Sequence, residues 1–165
     1  MMMKKKILVI DDDQKLDQLL KDYLSKFGFT VTAYTHPQQG LKAMKRDNPD
    51  LIILDIMLPD ANGVHLLEQF KEIDPNVEII MVTAVKAIKT AVEAIKLGAY
   101  DYIVKPFNPQ ELLARIKSQL ELKKMRDKLI AANKKLEQVM DGASILASDI
   151  GHKFYNELWP FTQMI

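Results

Sequence analysis

From Ile7 to Val104 the chain alternates short β-branched runs with stretches of helical periodicity. The runs are Ile7–Ile10, Thr30–Tyr34, Leu51–Leu54, Glu78–Val82 and Tyr100–Val104. Between them apolar residues recur near every 3.6 positions: Leu16/Leu19/Leu20/Tyr23/Leu24, then Leu41/Met44, Leu66/Leu67/Phe70 and Ala91/Ile95. A helix buries one stripe of its surface, whereas a strand buried on both faces is apolar throughout, so the two patterns separate. Gly28, Pro37, Pro49, Gly63, Pro75 and Gly98 punctuate the joins. These alternations predict an α/β fold, doubly wound, with a five-stranded parallel sheet and helices on both faces. The unbroken apolar runs Leu51–Leu54 and Ile79–Val82 mark its central strands.

After Pro106 the pattern changes. Good helix formers dominate from Pro109, with no Gly or Pro until Gly142. Leu112, Leu113, Ile116 and Leu120 are spaced to pack a last helix on the sheet. A second seam follows, Leu122, Met125, Leu129, Ala132, Leu136 and Val139, whose steps alternate three and four as in a coiled coil. We read 4–120 as the sheet domain, 121–141 as a coiled-coil stalk that makes the chain a homodimer, and 142–165 as a further helical segment. The competing reading is one amphipathic helix folded back on its own domain. The helical pattern still runs at Ile165 with no stop signal, as expected of a piece of a longer product.

Composition adds mainly exclusions. The 165 residues allow one ordinary domain and an appendage. A net charge of +1 gives no field for nucleic acid, and no basic recognition helix is evident, so no nucleic-acid partner is expected. With no cysteine, disulfides and thiolate metal sites are out. The basic start, Met1–Lys6, meets only the short run Ile7–Ile10 before Asp11, too little for a signal peptide. No apolar stretch approaches the ~20 residues of a membrane span. A cytoplasmic protein with no membrane partner is the expectation.

The chemistry gathers where an open α/β sheet binds ligands, beyond the carboxyl ends of its strands. The first strand runs into Asp11-Asp12-Asp13, the third ends at Asp55, the fourth at Thr83 and the fifth at Lys105-Pro106. Clustered carboxylates repel one another and favour a hard divalent cation, and an oxygen-only ligand set suits Mg²⁺. A carboxylate beside Mg²⁺ is a competent phosphoryl acceptor, with the metal and a lysine spreading the charge of the group in transit. Helix capping alone explains Asp13 or Asp11. It does not explain Asp55, because Ile-Met-Leu-Pro follows it.

The motifs ILVIDDD (Ile7–Asp13), LIILDIMLPDANG (Leu51–Gly63), IIMVTA (Ile79–Ala84) and GAYDYIVKPF (Gly98–Phe107) resemble those of response-regulator receiver domains in order and spacing. The resemblance covers about Lys4–Gln119. It implies a flavodoxin-like sheet of order 2-1-3-4-5 and a phosphorelay in which Asp55 takes phosphate from the phosphohistidine of a histidine kinase or phosphotransfer protein. By the same resemblance Asp12 and Asp55 hold Mg²⁺ by side chain and Met57 by its carbonyl, while Asp11 holds a metal-bound water. Lys105 and Thr83 contact the phosphoryl oxygens, and the bond before Pro106 is cis. Tyr102 matches an aromatic that swings inward with Thr83; an aromatic on an edge strand is otherwise packing surface. Met57 and Val85 occupy the rim, where polar side chains in other receivers orient the hydrolytic water. Asp13 reads as an N-cap or spectator and Asp60 as a turn residue.

The segment SDIGHKFYNELWPF within Ala147–Phe161 resembles the H-box of a histidine-kinase dimerisation helix, with His152 at the phosphoaccepting position and Asn156 one turn later. Lys153 stands where that family carries an acid, and no nucleotide-binding segment follows. His152 is therefore either a phosphorylatable residue or an ordinary exposed one. Two functions compete: a receiver signalling through its C-terminal helix, and a stand-alone dimeric adaptor whose tail only docks a partner. A Mg²⁺-dependent phosphatase fits poorly, since its second Asp falls at Met57.

Overall fold

The computed structural model describes residues 3–59, 61–84 and 87–162, with 154–162 described by backbone alone. Asp60 and Val85 lie outside the described residues, as does the side chain of Asn156. The elements are β1 (Lys6–Ile10), α1 (Gln14–Ser25), β2 (Thr30–Tyr34), α2 (Pro37–Asp47), β3 (Leu51–Asp55), α3 (Gly63–Ile73), β4 (Glu78–Thr83), α4 (Ile88–Lys96), β5 (Asp101–Val104) and α5 (Pro109–Thr162). All five strands pair in parallel in the order β2-β1-β3-β4-β5. This is the doubly wound, flavodoxin-like sheet that the pattern and the resemblance imply.

Two hydrophobic layers sandwich the sheet. Leu8, Ile10, Ile52, Leu54, Ile79 and Met81 point one way, onto Phe70, Leu67 and Met44 of the helices there. Ile7, Val9, Leu51, Ile53, Ile80 and Val82 point the other way, onto Leu20, Leu24, Leu112 and Ile116. Strand residues alternate between faces, so a wholly apolar strand feeds both layers. Each buried Leu or Ile contributes roughly 1.5–3 kcal/mol.

The helix stripes differ in detail from the sequence reading. On α1 the buried positions are Asp17, Leu20 and Leu24, while Leu19 is exposed. On α4 Ala91 and Ala94 are buried and Ile95 is 37% exposed. On α1 Leu20 and Leu24 keep their expected place and Asp17 takes the third buried position, while on α4 the short Ala91 and Ala94 sit nearest the sheet.

Local chemistry sets the helix starts that carry the site. Asp13 caps α1, its carboxylate accepting from the Lys15 and Leu16 amides at 3.0 and 3.2 Å. Asn62 caps α3 by accepting from the Val64 amide at 2.9 Å. A two-residue antiparallel ribbon, Met57–Leu58 with Ala61–Asn62, fills the connection after β3. It turns the chain back so tightly that a Cβ on Gly63 would lie 2.5 Å from the Asp55 carbonyl oxygen. Only glycine fits that approach.

The chain divides into two compact units, Met1–Glu121 and Leu122–Ile165. The first contains the sheet. In the second, α5 is unbroken past Gly142 and its large apolar side chains are exposed, from Leu122 to Ile150. No helix among the described residues is long and apolar enough to cross a membrane.

Candidate functional site

Strand register assembles the site. Ile10 pairs with Leu54, so the next residues, Asp11 and Asp55, emerge side by side from β1 and β3. Asp55 in turn pairs with Val82, one residue before Thr83, and Thr83 pairs with Val104, one residue before Lys105. The candidate side chains Asp11, Asp55, Thr83 and Lys105 are thus one row at the carboxyl edge of the sheet.

Asp11, Asp12 and Asp55 each present a carboxylate oxygen, all within 4.8 Å of one another. Asp11 and Asp55 are buried and Asp12 is exposed. Lys105 Nζ stands between the two buried acids, 2.8 Å from Asp11 Oδ2 and 3.3 Å from Asp55 Oδ2. The remaining oxygens are also held: Asp11 Oδ1 accepts from the Asp13 amide at 2.9 Å, and Asp55 Oδ1 from the Met57 amide at 3.0 Å. These bonds fix both carboxylates in place. The Thr83 hydroxyl is fully buried and donates to the Ala84 carbonyl at 3.0 Å. The Lys105–Pro106 peptide is cis.

Charge and burial compete here. Burial pushes the Asp55 carboxyl above its ordinary value, and the Asp11 charge adds to that; the Met57 amide and Lys105 pull the other way. Burial lowers Lys105, but its hydrogen bond to Asp11 and the charges of Asp11 and Asp55 more than offset this, and it titrates higher than a free lysine. The pocket therefore holds a permanent cation among acids that repel one another. Its donor set is all oxygen and its exposed member, Asp12, borders an open cleft lined by Met57, Pro59, Asn62, Ala87 and Thr90. That chemistry fits a hard divalent cation.

Sequence reasoning missed Asp17. It is buried on α1, its Oδ1 has no hydrogen-bond partner, and its pKa is pushed up to about 7, first by burial and then by Asp11 and Asp13, against Lys21 and Lys105. The signal was present: Asp17, Leu20 and Leu24 share one helical stripe, so an acid interrupts an apolar face. Gln119 and Glu78 were also missed. Both are buried, and the Gln119 amide donates to Glu78 at the amino end of β4, opposite Thr83.

Tyr102 is half-buried on β5, packed against the core, and its carbonyl accepts from Arg115 at 3.0 Å. His152 belongs to the second unit and is exposed on α5.

Residues 7–117 match the family model described as the response regulator receiver domain. The chain is 40% identical over 119 residues to "Probable transcriptional regulator ycf27" of Porphyridium aerugineum, covering 72% of this chain and 49% of that one. It is 40% identical over 116 residues to transcriptional regulatory protein CssR of Bacillus subtilis, covering 70% and 51%. It thus spans about half the length of these relatives. The CheY-like receiver domain crystal structure from Methanospirillum hungatei superposes with a TM-score of 0.71 at 33% identity, covering 74% of this chain and 98% of that one.

Proposed function

The chain belongs to the response-regulator receiver domain family, and on that premise we propose that Asp55 is its phosphoacceptor. The donor is the phosphohistidine of a histidine kinase or phosphotransfer protein, in the cytoplasm. A carboxylate oxygen of Asp55 attacks phosphorus, forming the acyl phosphate P–O bond as the P–N bond to the donor imidazole breaks. The imidazole nitrogen keeps the electron pair and takes up a proton.

The observation that carries this reading is the position of Lys105, a cation between Asp11 and Asp55. It neutralises charge where a phosphoryl group would add more. Asp11, Asp12 and Asp55, with the Met57 carbonyl, would hold Mg²⁺, which supplies further neutralisation of the phosphoryl oxygens. The Met57 amide keeps Asp55 oriented. The Thr83 hydroxyl, now bonded to Ala84, turns to the phosphoryl group by giving up that bond. Tyr102 moves with it and Pro106 holds the Lys105 turn.

Output passes through α5, and the second unit pairs two copies of the chain. His152 and Asn156 are carried on that helix as an H-box-like element. The domain limits we assign are 4–120 for the receiver, 121–141 for the stalk and 142–165 for the terminal helix. The test is incubation with acetyl phosphate, with and without Mg²⁺, followed by intact-mass spectrometry of the wild type and Asp55→Asn. One added phosphoryl group on the wild type alone, and only with Mg²⁺, is expected. Equal labelling of the Asn variant removes Asp55 from the role.

A further inference from the structure

We propose that Leu122–Ile150 pairs with the same segment of a second copy of this chain as a parallel, in-register coiled coil. The proposal deepens the dimer reading above and does not depend on the phosphorylation chemistry.

The seam is longer than the six positions from Leu122 to Val139. Because α5 continues as helix through Gly142, the alternation of three and four carries on to Ala143, Leu146 and Ile150. With Leu122 at heptad position a, these fall at a, d and a. The stripe is therefore continuous over four heptads, about 42 Å of helix at ~1.5 Å per residue. Its large members are exposed in the single chain, from 49% at Leu122 to 68% at Ile150. A stripe of that length in water needs a partner surface. Met140 flanks it, while Ile130 and Ile145 lie on other faces. Lys153 takes the next d position and ends the seam.

Charge selects the occupant and its direction. In a parallel, in-register pair, position g of one helix meets e of the other in the next heptad. That sets Glu121 against Arg126, Lys128 against Asn133, Lys135 against Met140 and Gly142 against Ala147. One pair is attractive and none is between like charges. An antiparallel pair sets g against g. With the seams fully overlapped, Lys135 of one copy then meets Lys135 of the other, and Glu121 meets Asp149. Both contacts repel. The same sequence is thus self-complementary in one direction only.

The test uses the full chain. Light scattering should give twice the 18.9 kDa chain mass. A Leu129→Lys/Leu136→Lys variant should fall to the monomer mass while still taking phosphate from acetyl phosphate, because each substitution buries a charge in the seam. Direction is read from single cysteines, since the chain has none of its own. Met125→Cys faces itself across a parallel seam and should form a disulfide-linked dimer on mild oxidation. Across an antiparallel seam it faces Ala143 instead. A monomeric wild type overturns the proposal. So does a dimer in which Met125→Cys stays uncross-linked alone but cross-links when mixed with Ala143→Cys. If the dimer and its cross-link are present but Asp55 takes no phosphate, the pairing stands and the phosphoacceptor reading fails.

Discussion

Lys105 is tied more closely to Asp11, at 2.8 Å, than to Asp55, at 3.3 Å. Its ammonium is held by the acid that flanks the acceptor and is kept within reach of Asp55. Replacing it with Met leaves two buried, mutually repelling carboxylates. We expect Lys105→Met to slow phosphorylation of Asp55 by ~10²–10³-fold, the loss typical of one charge-stabilising group. Asp11→Asn should raise the Lys105 contribution at Asp55 but weaken Mg²⁺ binding. Stopped-flow rates across a Mg²⁺ titration separate the two effects. An unchanged rate in Lys105→Met would remove the lysine from the mechanism.

Asp17 makes stability depend on pH. Its folded pKa, about 7, lies above the 3.8 of a free Asp. Between those values the folded chain keeps a proton that the unfolded chain has released. Stability therefore falls as pH rises from about 4 to about 7, by up to ~4 kcal/mol at ~1.4 kcal/mol per unit. Asp17→Asn should melt higher than wild type at pH 8 and close to it at pH 4. Melting curves that shift equally at both pH values would contradict this.

The approach at Gly63 leaves no room for a methyl group. A Cβ there would meet the Asp55 carbonyl at 2.5 Å and the Ile56 Cα at 2.6 Å, both backbone atoms. We expect Gly63→Ala to destabilise the first unit by ~2–4 kcal/mol and to disturb Asp55. Chemical denaturation measures the first effect and acetyl phosphate labelling the second. A variant with wild-type stability would show that the ribbon after β3 can relax.

The sheet was legible in the sequence because its three inner strands, β1, β3 and β4, are buried on both faces and so stand out as apolar runs. The row of acids and Lys105 was legible because each lies at or just past the carboxyl end of a strand. Asp17 and Gln119 were not, because their burial depends on which residue of a helix turn meets the sheet, and the contact of Gln119 with Glu78 joins residues 41 positions apart. On α1 the stripe Leu20/Leu24 is buried as its spacing predicts, but Asp17 and not Leu19 shares it. The ribbon Met57–Leu58 with Ala61–Asn62 was also missed, since two-residue strands carry no periodicity. The unbroken helix through Gly142 was hidden by a residue that usually ends helices.

Glu78 and Gln119 tie the amino end of β4 to α5. Gln119→Leu leaves the buried Glu78 carboxylate without that donor. A loss of ~1–3 kcal/mol is expected in urea denaturation, the cost of one buried polar group losing its partner. Equal stability would mean that the other contacts of Glu78 satisfy it.

Met57 is half exposed at the rim of the site and offers no acceptor to a hydrolytic water. We expect Met57→Asn, whose amide can orient the attacking water, to shorten the life of phospho-Asp55. Val85, the other rim residue, lies outside the described residues. Loss of phosphate followed after removal of the donor gives the rate directly, and an equal or longer lifetime would contradict the rim argument.

The central claim is that the carboxylate that takes phosphate is Asp55 and not one of its acidic neighbours. The most direct measurement is peptide mapping after phosphorylation by acetyl phosphate with Mg²⁺, with borohydride reduction of the acyl phosphate to mark the acceptor. The account predicts a single reduced residue, at position 55, absent from Asp55→Asn and from samples without Mg²⁺. A mark at Asp11 or Asp12 in the wild type, with position 55 unmodified, would contradict it.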